Sequence, residues 1–100
     1  METIRRQIIT LLSDSEMNAI ELSQMLSIRE KEVYEHLFHI GRSLAAQGNK
    51  LIIHPYRCLG CGYFFKDRSR FNRPGRCPVC KGSHIQMATY QTKMNPKKSP

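Results

Sequence analysis

Four cysteines, the full complement of this chain, fall as Cys58-x2-Cys61-x15-Cys77-x2-Cys80. Two thiolates three positions apart can hold one metal ion from a tight turn. Two such turns supply the four soft ligands of a closed tetrahedral site, the arrangement Zn²⁺ favours in structural roles. The flanks suit the turns: Gly62 and Gly82 offer positive φ at low cost, and Pro78 stiffens the second pair. Arg57, Arg76 and Lys81 stand beside the cysteines and would lower thiol pKa values. The competing chemistry is two disulfides or one redox pair. The start Met1-Glu2-Thr3-Ile4-Arg5-Arg6 leads into an amphipathic segment rather than an apolar secretory core. A reducing cytoplasm is therefore the expected compartment, and it disfavours disulfides. One structural Zn²⁺ on Cys58, Cys61, Cys77 and Cys80 is the expected cofactor. Iron in the same thiolates is the less favoured occupant.

Charge divides the chain at its midpoint. Residues 1–50 carry six basic and seven acidic side chains, a net of −1; residues 51–100 carry ten basic side chains against Asp67 alone, a net of +9. Four thiolates on Zn²⁺ add −2 and leave the second half near +7, a charge that meets a polyanion or maintains solubility. The segment Lys66–Arg76 holds Lys66, Arg68, Arg70, Arg73 and Arg76, with Phe71 as its one aromatic. No apolar run approaches the roughly 18 residues of a membrane helix, so no membrane partner is expected. No Ser-His-Asp set, Gly-rich phosphate loop or open-sided metal site appears either. The chain does not read as an enzyme, and no small-molecule substrate is evident.

The elements that must position these groups follow from periodicity. Ile4, Ile8, Leu11 and Leu12 predict a helix over Thr3–Ser13 with Thr3 as cap. Asn18 and Glu21 form a capping-box pattern ahead of a short helix carrying Ile20, Leu22, Met25 and Leu26. A break at Ser27-Ile28 precedes a longer helix over Arg29–Gln47, where Val33, Leu37, Ile40 and Leu44 form the apolar stripe and Gly48 ends it. That stripe is expected to bury against Ile4, Ile8, Leu11, Leu22 and Leu26. Leu51-Ile52-Ile53 begins a strand that Pro55 stops, Tyr63-Phe64-Phe65 reads as a short aromatic strand, and Ser83–Gln91 as a strand returning along Leu51–Ile53. The division is 1–50 helical, 51–91 strands carrying the metal ribbon (knuckles 58–61 and 77–80), and 92–100 a basic tail expected to be disordered.

The string from Ile20 to Leu37 looks like a winged helix-turn-helix DNA reader, with the helix from Arg29 in the recognition position. The bland alternative is a three-helix core that binds nothing. On the helix face opposite the stripe stand Lys31, Glu35, Phe38, His39 and Arg42, with Tyr34 and Glu32 flanking. Glu30, Glu32 and Glu35 fit poorly against phosphates, and Phe38 is misplaced for a solvent face. Phe38 is expected to pack on the metal module, a protein partner or a second subunit. His36 and His39 share a face three apart, but surface histidines explain them better than a second metal site.

The knuckles Cys58-Leu59-Gly60-Cys61-Gly62-Tyr63 and Cys77-Pro78-Val79-Cys80 resemble those of rubredoxins and rubrerythrin-type modules. With the upstream helices, residues 3–91 resemble a family of prokaryotic regulators in which a winged helix-turn-helix carries a rubredoxin-like zinc ribbon in place of the wing. The resemblance implies an α+β fold, the four cysteines as ligands, and strands Leu51–Ile53 and His84–Gln91 as the base of an enlarged wing. The first functional expectation is a DNA-binding transcriptional regulator, and the residues that would contact nucleic acid are Arg29, Lys31, Tyr34 and Arg42 at the third helix and Lys66, Arg68, Arg70, Arg73 and Arg76 in the basic ribbon. Two alternatives stand beside it: a protein-interaction adaptor that binds no DNA, and a rubredoxin-like electron carrier with iron in the site.

Overall fold

The first two helices begin where a polar side chain satisfies free backbone donors. In a computed structural model that describes residues 3–66 and 71–93, helix α1 spans Ile4–Asp14, and the Thr3 hydroxyl accepts from the Arg6 N–H at 3.2 Å. Helix α2 (Ala19–Leu26) carries the complete capping box: Asn18 Oδ1 accepts from the Glu21 N–H and Glu21 Oε1 from the Asn18 N–H, both at 2.8 Å. Ser27 ends α2 in the left-handed region at φ 54. That conformation costs a non-glycine residue about 1–2 kcal/mol, and the Ile28 N–H bonding to the Ser23 carbonyl at 3.0 Å helps to offset it. Helix α3 runs Glu30–Ala46, with Arg29 at its N-cap and no side-chain cap there. At its other end Gly48 takes φ 78, the Asn49 N–H bonds to the Leu44 carbonyl at 2.8 Å and the Gly48 N–H to Ala45 at 3.1 Å. These are the two bonds of a Schellman motif.

The apolar stripes meet as expected. Val33, Leu37, Ile40 and Leu44 are buried with Ile8, Leu12 and Leu22, while Ile4, Leu11 and Leu26 pack at the rim. Met25 departs from the expected face and is 61% exposed, because α2 is only two turns long and its inward face is filled by Ala19 and Leu22.

An antiparallel sheet of order β1-β5-β2 covers the helices, formed by β1 (Met17–Asn18), β2 (Lys50–His54) and β5 (Thr89–Lys93). Leu51 pairs Thr92 and Ile53 pairs Tyr90. Alternation along β5 turns Tyr90 and Thr92 inward, and the Thr92 and Ser13 hydroxyls meet at 2.8 Å. Two expectations need correction. The single strand over Ser83–Gln91 is two: β4 (Ile85–Gln86) pairs with β3 (Arg57–Cys58) in a separate sheet, and the chain then switches to β2 through buried Ala88. Tyr63-Phe64-Phe65 forms no strand, only a bridge between Phe64 and Arg57, since the knuckle turn before it prevents a longer ladder. Strand β1 gave no periodic signal; two residues are too few to show one. Thr92 and Lys93, expected in the tail over 92–100, belong to β5, and residues 94–100 lie outside the described residues. The described residues form a mixed α+β fold of three helices and antiparallel sheets. Among the described residues no helix is long and apolar enough to cross a membrane.

Candidate metal centre and the basic residues around it

The two cysteine turns are the same structure used twice. In the first, the Cys58 N–H bonds to the Tyr63 carbonyl at 2.8 Å and the Gly62 N–H to the Cys58 carbonyl at 2.8 Å; in the second, Cys77 N–H bonds to Gly82 at 2.8 Å and Lys81 N–H to Cys77 at 2.9 Å. The turning residue of each pair has positive φ: Gly62 at 82 and Lys81 at 64. The expectation for Gly82 is thereby corrected. Lys81 makes the left-handed turn, and Gly82 is needed for space, since a Cβ there would lie 3.3 Å from the Cys80 sulfur.

Strand β3 buries Cys58 and the second knuckle buries Cys77, while Cys61 and Cys80 sit on the exposed side. All four sulfurs lie within 4.8 Å of one another. The Cys58–Cys80 separation is 3.4 Å and the Cys61–Cys77 separation 3.6 Å. A tetrahedron with metal–sulfur bonds of about 2.3 Å has sulfur–sulfur edges of about 3.8 Å, so the donor set fits a metal ion and leaves no ligand position open. All four cysteines are free of disulfides.

The local dipoles prepare part of the set for deprotonation. The Cys58 thiol is drawn down to about 7, first by the Cys61 backbone N–H and against the effect of burial. Burial opposes ionisation at Cys77, but the N–H groups of Cys80 and Val79 hold it below the ordinary thiol value. At Cys61 the Tyr63 N–H favours the thiolate, yet burial and the neighbouring sulfurs push the thiol up to about 12. Four thiolates cannot share so small a volume without a cation, and metal binding therefore releases protons.

The basic residues named from sequence are not brought together as one set. Arg29, Lys31 and Arg42 are exposed on or beside α3, and Lys66 and Arg76 are exposed on the ribbon. Arg68 and Arg70 lie outside the described residues. Two placements differ from expectation. Tyr34 is buried, with 9% of its surface exposed; its hydroxyl donates to Glu30 and lies 3.4 Å from that of Tyr56, which in turn donates to the Phe71 carbonyl at 2.6 Å. Burial, then the adjacent Glu30 carboxylate, raises the Tyr34 pKa strongly, so it stays a phenol. Arg73 is engaged, donating to Glu30 through Nε at 2.7 Å and Nη2 at 2.8 Å. The α3 stripe shows the helix turning Val33 and Leu37 inward, and Tyr34 follows them. Nothing local marks the Arg73 pairing, which joins residues 43 apart.

Phe38 remains 44% exposed, with the Arg42 guanidinium 5.7 Å from its ring centroid. It lines an open groove of about 450 Å³ together with Tyr34, His39, Phe71 and Asn72, so it faces the ribbon loop without being covered by it. Among the described residues no further ligand joins His36 and His39, and His36 Nδ1 accepts from Arg5 Nε at 3.1 Å.

Residues 3–52 match the family model described as PF0610-like, N-terminal. The chain is also similar to the solution NMR structure of protein PF0610 from Pyrococcus furiosus, at 30% identity and a TM-score of 0.78, over 92% of this chain and 90% of that one. No curated protein matches it. The family model stops before the first cysteine, whereas the structural likeness covers nearly the whole chain. On both grounds the chain belongs to the PF0610-like family.

Proposed function

We propose that this protein is a DNA-binding transcriptional regulator built as a winged helix-turn-helix. In this reading α2, the Ser27–Arg29 turn and α3 are the reader, β2 and β5 the stem of the wing, and the four-cysteine ribbon an extension held by one structural Zn²⁺. Zinc is preferred because a closed thiolate set in a segment too small for its own core gains folding energy from a metal that needs no redox partner.

The observation that carries the reading is the Glu30–Arg73 pair. It neutralises the carboxylate at the start of α3 that would face phosphates, and it ties the ribbon loop to the helix that would enter the groove. Exposed cations stand on both parts, Arg29, Lys31 and Arg42 at the helix and Lys66 and Arg76 on the ribbon. Phosphate contacts give affinity and little sequence choice. Glu32 and Glu35 still oppose base reading, so the binding is led by charge and depends on a partner for selectivity.

The test is fluorescence anisotropy of a labelled duplex titrated with metal-loaded protein at several salt concentrations. The expected slope of log K against log salt is about −0.9 per phosphate contacted. Absence of measurable affinity at ~50 mM salt would reject the proposal. It would favour an adaptor role, for which the exposed Phe38 groove is the specific support. Metal analysis with an absorption spectrum separates colourless zinc from red ferric iron in the same thiolates.

A further inference from the structure

The ribbon carries a second cleft that the metal centre does not use. It measures about 310 Å³ and is lined on one side by Arg57, Phe64 and Gln86 and on the other by Glu16, His54 and Thr89. Its position follows from the short pairings that bracket the first knuckle. Arg57 bridges Phe64 on one side and is the register partner of Gln86 on the other, so three exposed side chains of different chemistry stand next to one another.

Phe64 is the unusual member. Its neighbours Tyr63 and Phe65 pack edge to face at 5.0 Å, and Phe65 is buried as part of the core. Phe64 points away from that pair, remains 43% exposed, and has two cations on its ring. The Arg57 guanidinium carbon lies 5.1 Å and Lys66 Nζ 5.7 Å from the centroid. The one acid among the residues lining the cleft, Glu16, lies 2.7 Å from His54 Nε2, and the two cations on Phe64 outnumber it among the described residues.

An aromatic ring, a guanidinium plane, an ammonium and an exposed amide form the set that recognises an unpaired nucleotide. The ring and guanidinium offer surfaces for stacking a base, the cations meet its phosphate, and an amide can bond a base edge. We propose that this cleft binds an unpaired nucleotide, with its base stacked on Phe64 and Arg57, its phosphate on Lys66 and Arg57, and the Gln86 amide on a base edge. The volume suits one planar base, not a duplex, whose bases already stack on each other. The site is separate from the helix α3 surface, and its test does not depend on duplex binding.

The experiment uses the full, metal-loaded chain with three probes at ~50 mM salt: a labelled ten-residue oligothymidylate, the same strand annealed to its complement, and adenosine monophosphate as competitor. The single strand is expected to bind, and Phe64→Ala or Phe64→Leu to weaken it by about tenfold or more, the range for losing one stacked base. Competition by the mononucleotide assigns the site to a free nucleotide; binding of the strand alone assigns it to single-stranded nucleic acid. Should the Phe64 variants lose metal, side-chain chemical shifts of Arg57 and Gln86 in the unaltered protein give the answer. Unchanged shifts on adding the single strand and the mononucleotide, or wild-type affinity in a metal-retaining Phe64→Leu protein, overturn the proposal.

Discussion

Arg73 and Glu30 form a two-pronged pair, at 2.7 and 2.8 Å, between the loop that joins the two knuckles and the first turn of α3. The Arg73 hydrogen bonds, opposed by partial burial, hold the Glu30 carboxyl below its ordinary range. The bidentate geometry is the stronger form of such a contact, but both groups are partly in water, with side-chain exposures of 54% and 26%. A double-mutant cycle with Glu30→Gln and Arg73→Gln is expected to give a coupling of about 0.2–1 kcal/mol at neutral pH. Because the folded-state pKa is lowered, this contribution is present above the unfolded carboxylate value. It is lost as pH falls through the depressed one. A coupling unchanged below that value would show that the pair is not ionic.

His36 adds a second dependence of stability on pH. Burial, then the adjacent Arg5, lowers its pKa below the ordinary histidine value, and its Nδ1 accepts from Arg5. Its neutral form is therefore the one the fold favours. The contribution is present above pH ~6.5, the unfolded value, and is lost as pH falls through the depressed folded value. Urea midpoints measured between pH 7.5 and 5.5 should decline less in His36→Gln than in the parent protein. Parallel declines would mean that the histidine is silent.

Replacing Cys58 or Cys61 by Ser should reduce bound metal from one equivalent to almost none. Hydrogen exchange should then speed up at the Leu59 and Cys77 amides, which are bonded within the ribbon, while α3 stays protected, since it also packs on α1, α2 and β2. Full metal retention by either variant would refute the four-thiolate site. So would a metal-free native protein with Cys58–Cys80 and Cys61–Cys77 oxidised.

Two glycines provide a matched pair. A methyl at Gly82 would press on the Cys80 sulfur at 3.3 Å, whereas one at Gly75 meets nothing within 4 Å. Competition with a chromophoric chelator should find weaker metal binding in Gly82→Ala and parent-like binding in Gly75→Ala. The same affinity in both would mean that the second knuckle yields easily.

In the helical core, Leu37→Ala should cost about 2–5 kcal/mol, the range for a buried leucine. Met25→Ala, on the exposed side of α2, should fall within about 0.5 kcal/mol of the parent. Urea denaturation of the two variants decides it, and comparable losses would mean that α2 is misoriented.

By itself the sequence determined whatever depends on near neighbours along the chain. The Asn18–Glu21 capping box, the Val33/Leu37/Ile40/Leu44 stripe, the Gly48 stop and the cysteine pairs all act within a few residues, so their spacing is their geometry. Tertiary structure alone decided relations between distant segments. Strand β1 exists because β5 offers an edge to Met17 and Asn18. The last strand breaks at Ala88 because its two halves pair with different partners. Tyr34 and Arg73 look like free surface groups until the ribbon loop folds onto α3, where Glu30 and Tyr56 take them up. A polar side chain carries no record of which distant group will satisfy it; only the assembled fold brings donor to acceptor.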